Sequence, residues 1–277
     1  MNNETTSRKR RPVAVALCSL AAVGALTACG SDTGSDSPAS QADAPTATIE
    51  LTSAQGNRGL PQGSEPVELD PAEFTTNIDN PYFPLAPGSR WVYRETNTKG
   101  DVEKVVVKVT NKTKMIANGI EARVVRDTVT ENGQPVEVTD DWYAQDADGN
   151  VWYLGEDTAE YVNGRVDNRD GSFEAGVDGA QAGIAMPADP VPGLSYRQEY
   201  YEGEAEDVGA IVTVGEERAG VPFGYYDEDV VMTRDLVPTE PKVQELKFYA
   251  PGVGMVLSVH TEGAGGRAEL VSFKRGG

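Results

Sequence analysis

Residues 119–156 read GIEARVVRDTVTENGQPVEVTDDWYAQDADGNVWYLGE, and the fold class is decided here. Three β-branched and aromatic runs are separated by Asn132-Gly133 and Asp148-Gly149. Asn-Gly and Asp-Gly readily supply the left-handed backbone angles of a tight hairpin turn. The second turn sets Trp142-Tyr143 and Trp152-Tyr153 on adjacent strands.

The same texture extends in both directions. Further runs cover 90–97 and 101–111 before this stretch, and 194–202, 208–216, 229–236, 243–250, 254–262 and 267–274 after it. Short apolar runs with Gly, Asn and Asp between them describe an antiparallel sheet protein. The expectation is an all-β fold, mainly antiparallel, built as one large curled sheet or half-barrel. Residues 171–192, rich in Gly, Ala and Pro, read as a long loop. The prolines of 77–88 suggest an irregular segment laid across a core.

Alternation places some side chains. Val136, Val138, Trp142 and Ala144 share one face with Asp140, and an acid on so apolar a face must be paired, protonated or at a bulge. Met255, Leu257 and Val259 share another face, which puts His260 on the opposite, less apolar side.

The N-terminal part is of a different kind. Arg8-Lys9-Arg10-Arg11 precedes an apolar run too short to span a bilayer as a helix, the pattern of a secretion signal. The run ends in Leu26-Thr27-Ala28-Cys29-Gly30, which matches the lipobox of bacterial lipoproteins. That resemblance implies a lipid on Cys29, cleavage just before it, and a place at the outer face of the cytoplasmic membrane. The expected organisation is a signal peptide over 1–28, a lipidated Cys29 with a flexible polar tether over 29–76, and one β-rich extracytoplasmic domain over 77–277. The tether lacks the apolar pattern needed to offset the entropy of ordering it.

Charge and composition narrow the chemistry. There are 44 acidic and 24 basic residues, a formal charge of −20. A surface so negative repels nucleic acid. The chain has two cysteines, and with Cys18 in the signal and Cys29 lipidated, no thiol remains for a disulfide, a thiolate metal site or a nucleophile. His260 is the one histidine, so a zinc site built on several is unavailable. Carboxylates remain. Asp146, Asp148 and Asn150 stand at alternate positions, as in a calcium loop, although Asp148-Gly149 equally suits a hairpin turn. Glu202–Asp207 and Asp227–Asp229 are further acidic clusters that suit a cation or solvent. Asp140 is the candidate acid for a carboxylate-based hydrolase, with an arginine ion pair as the competing role. Tyr82, Phe83, Trp91, Trp142, Trp152, Tyr200, Tyr201, Tyr225 and Tyr226 suit either a core or a pocket lining.

Two short stretches carry a second resemblance. Pro87-Gly88-Ser89-Arg90-Trp91-Val92-Tyr93 resembles the opening strand of several bacterial envelope proteins, and Phe248-Tyr249-Ala250-Pro251-Gly252-Val253-Gly254-Met255-Val256 resembles their closing hairpin. The overall plan is similar to the half-barrel lipoproteins of the LolA and LppX kind, and implies a hydrophobic ligand in the hollow of the sheet. The function expected is non-enzymatic binding of an envelope component or a small apolar ligand, without a cofactor unless the acidic loops take calcium. An acidic-loop scaffold for a basic protein partner and a carboxylate-based hydrolase are the alternatives.

Overall fold

The computed structural model describes residues 59–97, 100–238, 244–261 and 266–277. Cys29 and the signal segment lie outside them. After a short 3-10 turn at Pro71–Glu73, capped by Asp70, every element is a strand. In chain order these are β1 (Phe74–Thr75), β2 (Arg90–Asn97), β3 (Val102–Met115), β4 (Glu121–Glu131), β5 (Gln134–Asp146), β6 (Val151–Val162), β7 (Arg165–Asn168), β8 (Phe173–Glu174) and β9 (Gln181–Met186). There follow β10 (Ser195–Arg197), β11 (Glu199–Tyr200), β12 (Val208–Val214), β13 (Ala219–Val221), β14 (Gly224–Tyr226), β15 (Val231–Leu236), β16 (Gln244–Ala250), β17 (Gly254–His260) and β18 (Gly266–Lys274).

Sixteen of them form one antiparallel sheet, whose main path runs β10-β12-β15-β16-β17-β18-β2-β3-β4-β5-β6-β9-β11. Its two end strands are halves of one segment, divided by Gln198. The first half pairs with β12 and the second with β9. The sheet therefore curls into a nearly closed barrel, sealed by the chain itself. Asn132 takes a left-handed angle in the β4–β5 turn, as its Asn-Gly pair requires.

The seam needs a particular residue on each side. A Cβ at Gly183 would stand 2.2 Å from the carbonyl oxygen of Gln198 and 2.6 Å from that of Arg197, so only glycine admits this approach. Arg197, 1 % exposed, donates to the carbonyls of Ala182, Gly63 and Glu65, and its backbone N–H to that of Pro61.

Two expectations are corrected by this arrangement. The long loop over 171–192 contains β8 and β9, and β9 is a wall of the barrel. Its small residues, Ala182, Gly183 and Ala185, have weak strand propensity but are what close packing at a seam demands. The tether expected over 29–76 overlaps ordered chain from residue 59. Leu60 is buried, Val67, Leu69 and Phe74 pack on the core, and β1 pairs with β5. These apolar residues are too far apart in sequence to make a local pattern; tertiary contact alone orders them.

One end of the barrel is apolar. The irregular segment after residue 77 pushes Phe83 and Leu85 against it, with the Phe83 ring 5.4 Å from Tyr143 and Tyr143 stacked on Tyr153 at 5.0 Å. Gly183→Ala is expected to lower stability by about 3 kcal/mol, as overpacking at an unyielding backbone contact does. Urea unfolding measures it, and an unchanged midpoint would contradict the seam.

Candidate functional site

Strand alternation gives the barrel one inward face, and its register can be followed around the sheet. Asp127 of β4 lies opposite Thr139 of β5, which lies opposite Thr158 of β6; Asp141 lies opposite Glu156. On the far wall Asp235, Glu245 and His260 are successive neighbours across β15, β16 and β17, as are Thr233, Lys247 and Ser258. Glu95 of β2, Glu137 of β5, Glu199 of β11 and Asp207 complete the set. All these side chains are buried, none more than 9 % exposed.

The expected core face of two strands is thus the outer one. Val136 and Val138 are half-buried outside, while Glu137, Thr139, Asp141 and Tyr143 point inward. His260 is indeed opposite Leu257 and Val259, but that side is the interior, and the histidine is buried with Ser258. The period was readable; which face was the core was not, because this interior is polar.

Lys247 organises the far wall. Its ammonium lies 2.7 Å from Asp235 Oδ2 and 3.2 Å from Glu245 Oε2. Thr233 and Gln198 also donate to Asp235, and Ser258 donates to Glu245. His260 Nε2 is 3.7 Å from Glu245 Oε1 and 4.0 Å from Glu95 Oε1, too far for a hydrogen bond.

On the other wall two acids share one donor. Asp141 Oδ1 and Glu156 Oε2 lie 3.0 and 2.7 Å from the same Tyr153 hydroxyl. One phenol hydrogen serves one acceptor, so the second bond needs a proton on a carboxyl. Asp127 has no well-formed hydrogen bond to either oxygen, with only weak help from the Thr128 N–H. Glu95 Oε2, Asp141 Oδ2 and Glu199 Oε2 are likewise without a hydrogen bond.

Burial and mutual repulsion follow through to the proton. Burial, then Glu103, Glu245 and Glu137, pushes Glu95 up to about 9. Burial, then Glu156 and Glu160, pushes Glu137 up to about 8. Half-buried Glu103 is raised to about 7 by burial and by Glu131. Asp127, Asp141 and Glu199 are raised well above the carboxylate range, chiefly by burial. Burial and mutual repulsion thus favour the neutral form of these six carboxyls over the charged form.

The candidates named from sequence stand elsewhere. Asp140 is outside the barrel, 28 % exposed, forked onto Arg126 with Nε 2.7 Å from Oδ1. Asp146 accepts from Asn150 N at 2.8 Å, Asn150 Nδ2 at 2.9 Å and Trp152 Nε1 at 2.7 Å. Asp148 is exposed, and Asn150 Oδ1 accepts from Ala188 N. The three lie in a hairpin turn, where the side-chain oxygens of Asp146 and Asn150 accept from protein N–H groups. Among the described residues no three His, Cys, Asp or Glu side chains are grouped to hold a metal. In the turn 202–207, Glu202 and Glu204 are exposed while Asp207 points into the barrel; Asp227–Asp229 is exposed.

The aromatics do not converge either. Trp142 lies outside beneath the Lys114 ammonium at 4.4 Å, Trp152 meets Phe74, and Trp91 stacks on Phe273. Tyr82, Tyr200, Tyr201 and Tyr226 are half-buried, and Tyr225 is exposed. The apolar hollow between Phe83, Leu85, Trp91, Tyr93 and Met255 has room for about one water molecule (≈ 10 Å³).

No protein-family profile matches the chain, and no curated protein is significantly similar to it. Among solved structures, a candidate lipoprotein of Parabacteroides distasonis aligns with 70 % of this chain and 98 % of its own at 15 % identity, with a TM-score of 0.38. A candidate exported protein of Bacteroides fragilis with a YmcC-like fold covers 70 % and 99 %, at 15 % identity and 0.38. A β-barrel-like protein of a domain of unknown function from Brucella abortus covers 68 % and 98 %, at 13 % and 0.33. Superpositions this loose assign nothing to the chain.

The raised carboxyls have a consequence for stability. Above the ordinary carboxyl range, near 4.5 for Glu, the folded chain holds protons that the unfolded chain has lost. Their contribution is whole in acid and is lost as pH rises through about 7 to 9. The melting temperature is expected to fall from about pH 5 to pH 9, and Glu95→Gln to add on the order of 2–4 kcal/mol near pH 8. A melting temperature that rises over that interval would contradict it.

Proposed function

We propose that the protein is a lipid-anchored extracytoplasmic binding protein, held at the membrane by Cys29, with the barrel interior as its chamber for a small polar ligand. The lipobox supports the anchor. The chamber rests on one observation: buried carboxyl oxygens of Glu95, Asp127, Asp141 and Glu199 face inward without hydrogen bonds. A buried polar atom left unmatched costs about 1–3 kcal/mol, so such a set calls for a guest or for water.

An apolar cargo fits less well. The acid-lined part of the interior would desolvate against it, and the apolar hollow holds no lipid chain. Hydrolysis through Asp140 is disfavoured by its fork with Arg126. The acidic-loop scaffold keeps exposed Glu202 and Glu204 and half-buried Glu206 of its principal cluster, while Asp207 is buried.

Two measurements test the proposal. Cys29→Ser is expected to abolish incorporation of labelled fatty acid and move the protein from the membrane to the soluble fraction. Native mass spectrometry of the full chain, extracted in mild detergent, is expected to show a non-covalent guest beyond the lipid. A bare polypeptide mass in every preparation, with no small polar compound taken up on addition, would overturn the chamber.

A further inference from the structure

The protein already shows how this chamber holds an ammonium. Lys247 lies between Asp235 and Glu245, and Thr233, Gln198 and Ser258 complete the two acids. Among the described residues Glu95, Asp127, Asp141 and Glu199, on β2, β4, β5 and β11, are not clamped in this way, although Lys247 acts on Glu199 and His260 Nε2 lies 4.0 Å from Glu95 Oε1. Each is 3 % exposed or less and leaves at least one oxygen without a hydrogen bond. The Gln198 amide oxygen, whose nitrogen donates to Asp235, is also buried and unbonded. An unfilled set made of acceptors calls for a donor, and an acid-rich interior calls for positive charge.

Two kinds of cation meet that requirement, and the arrangement separates them. A hard metal ion needs several oxygens closing on one point, and among the described residues no such group of three exists. An alkylammonium needs only acceptors at hydrogen-bond distance on different sides. Its methylenes can lie against apolar side chains, and Tyr93, Val105 and Val125 share the inward face with these acids.

We infer that the chamber binds a small aliphatic amine whose ammonium donates to carboxylates within the set Glu95, Asp127, Asp141 and Glu199, two at a time, as Lys247 donates to Asp235 and Glu245. This rests on the barrel interior being the ligand chamber. Binding is an exchange. The ammonium enters charged, a carboxylic acid gives up its proton to water, and the ion pair replaces the neutral acid. The groups facing these acids set that exchange. Glu95 is opposed by Glu103, Glu245, Glu137 and His260, and Asp127 by Asp141, Glu137 and Glu95. Asp141 meets Glu156, Tyr153, Asp140 and Glu137, and Glu199 meets Asp207, Glu156, Asp141 and the cation Lys247. Nearly all are acids, so a guest cation is drawn in as protons leave.

Titration calorimetry of the full chain in detergent with 1,4-diaminobutane, in buffers of unlike ionisation enthalpy, tests this. Saturable binding, release of about one proton, and affinity rising up to about tenfold per pH unit between about pH 6 and 8 are expected. Asp127→Asn combined with Glu199→Gln is expected to weaken binding at least tenfold while raising the melting temperature near pH 8. Both changes remove buried acids, so loss of binding cannot be ascribed to loss of folding. No saturable binding, binding without proton release, equal binding by the double variant, or tighter binding of calcium chloride than of the diamine would overturn the inference. A retained guest that is polar but uncharged or anionic would overturn the amine and leave the chamber standing. The absence of both guest and amine binding would remove the two together.

Discussion

A carboxyl group inside a protein must find a cation, find hydrogen bonds or keep its proton, and the architecture of this barrel follows from that constraint. Among the described residues nine acids are buried with Lys247, and His260 lies beyond hydrogen-bond reach of its acidic neighbours. On the wall around Lys247, Asp235 and Glu245 each receive the ammonium and side-chain donors. The opposite wall relies on retained protons, most plainly where Asp141 and Glu156 converge on one phenol. Such an interior is costly as a core, and its persistence is more readily understood as a receptacle than as packing.

Closure of the sheet makes the cost inescapable. An open half-barrel would let water reach these acids and return them to ordinary behaviour. Here Ser195–Tyr200 bridges β12 and β9, Gly183 permits the approach, and Arg197 ties the seam to residues 61–65. The aromatic end, plugged by Phe83 and Leu85, supplies the apolar burial that stabilises the fold, and leaves the polar part of the barrel for chemistry. The seam is also part of the site, since Gln198 and Glu199 lie on it.

Much of the sheet was legible in the sequence because hairpin turns and β-branched runs are local signals. Strand β2 was placed to the residue, and the Asn132-Gly133 turn forms where its dipeptide demanded. Strand β9 was missed because Ala and Gly speak against a strand, and only the distant approach of Gln198 explains them. Residues 59–76 were missed because their anchors are isolated. The sequence candidate Asp140 and the buried acids Glu137 and Asp141 lie on opposite faces of the same strand. Period-two alternation shows that Val136 and Val138 face away from Glu137, Thr139 and Asp141, but names neither face as the interior. The usual assumption, apolar inward, fails where the interior is lined with acids. The polar alternation of Glu137, Thr139 and Asp141 was the available signal.

Buried Glu95, Asp127, Glu137, Asp141 and Glu199, whose hold on a proton burial strengthens, are expected to be neutral near physiological pH and to give up protons to a cationic guest. Infrared difference spectroscopy with isotope-labelled Asp and Glu reports this directly, through the carbonyl stretch unique to the protonated carboxyl. Near pH 7 the empty protein is expected to show several such bands, reduced by Asp127→Asn or Glu95→Gln and lost in part when 1,4-diaminobutane is added. A spectrum with every carboxyl ionised near pH 7 in the empty protein would contradict the account.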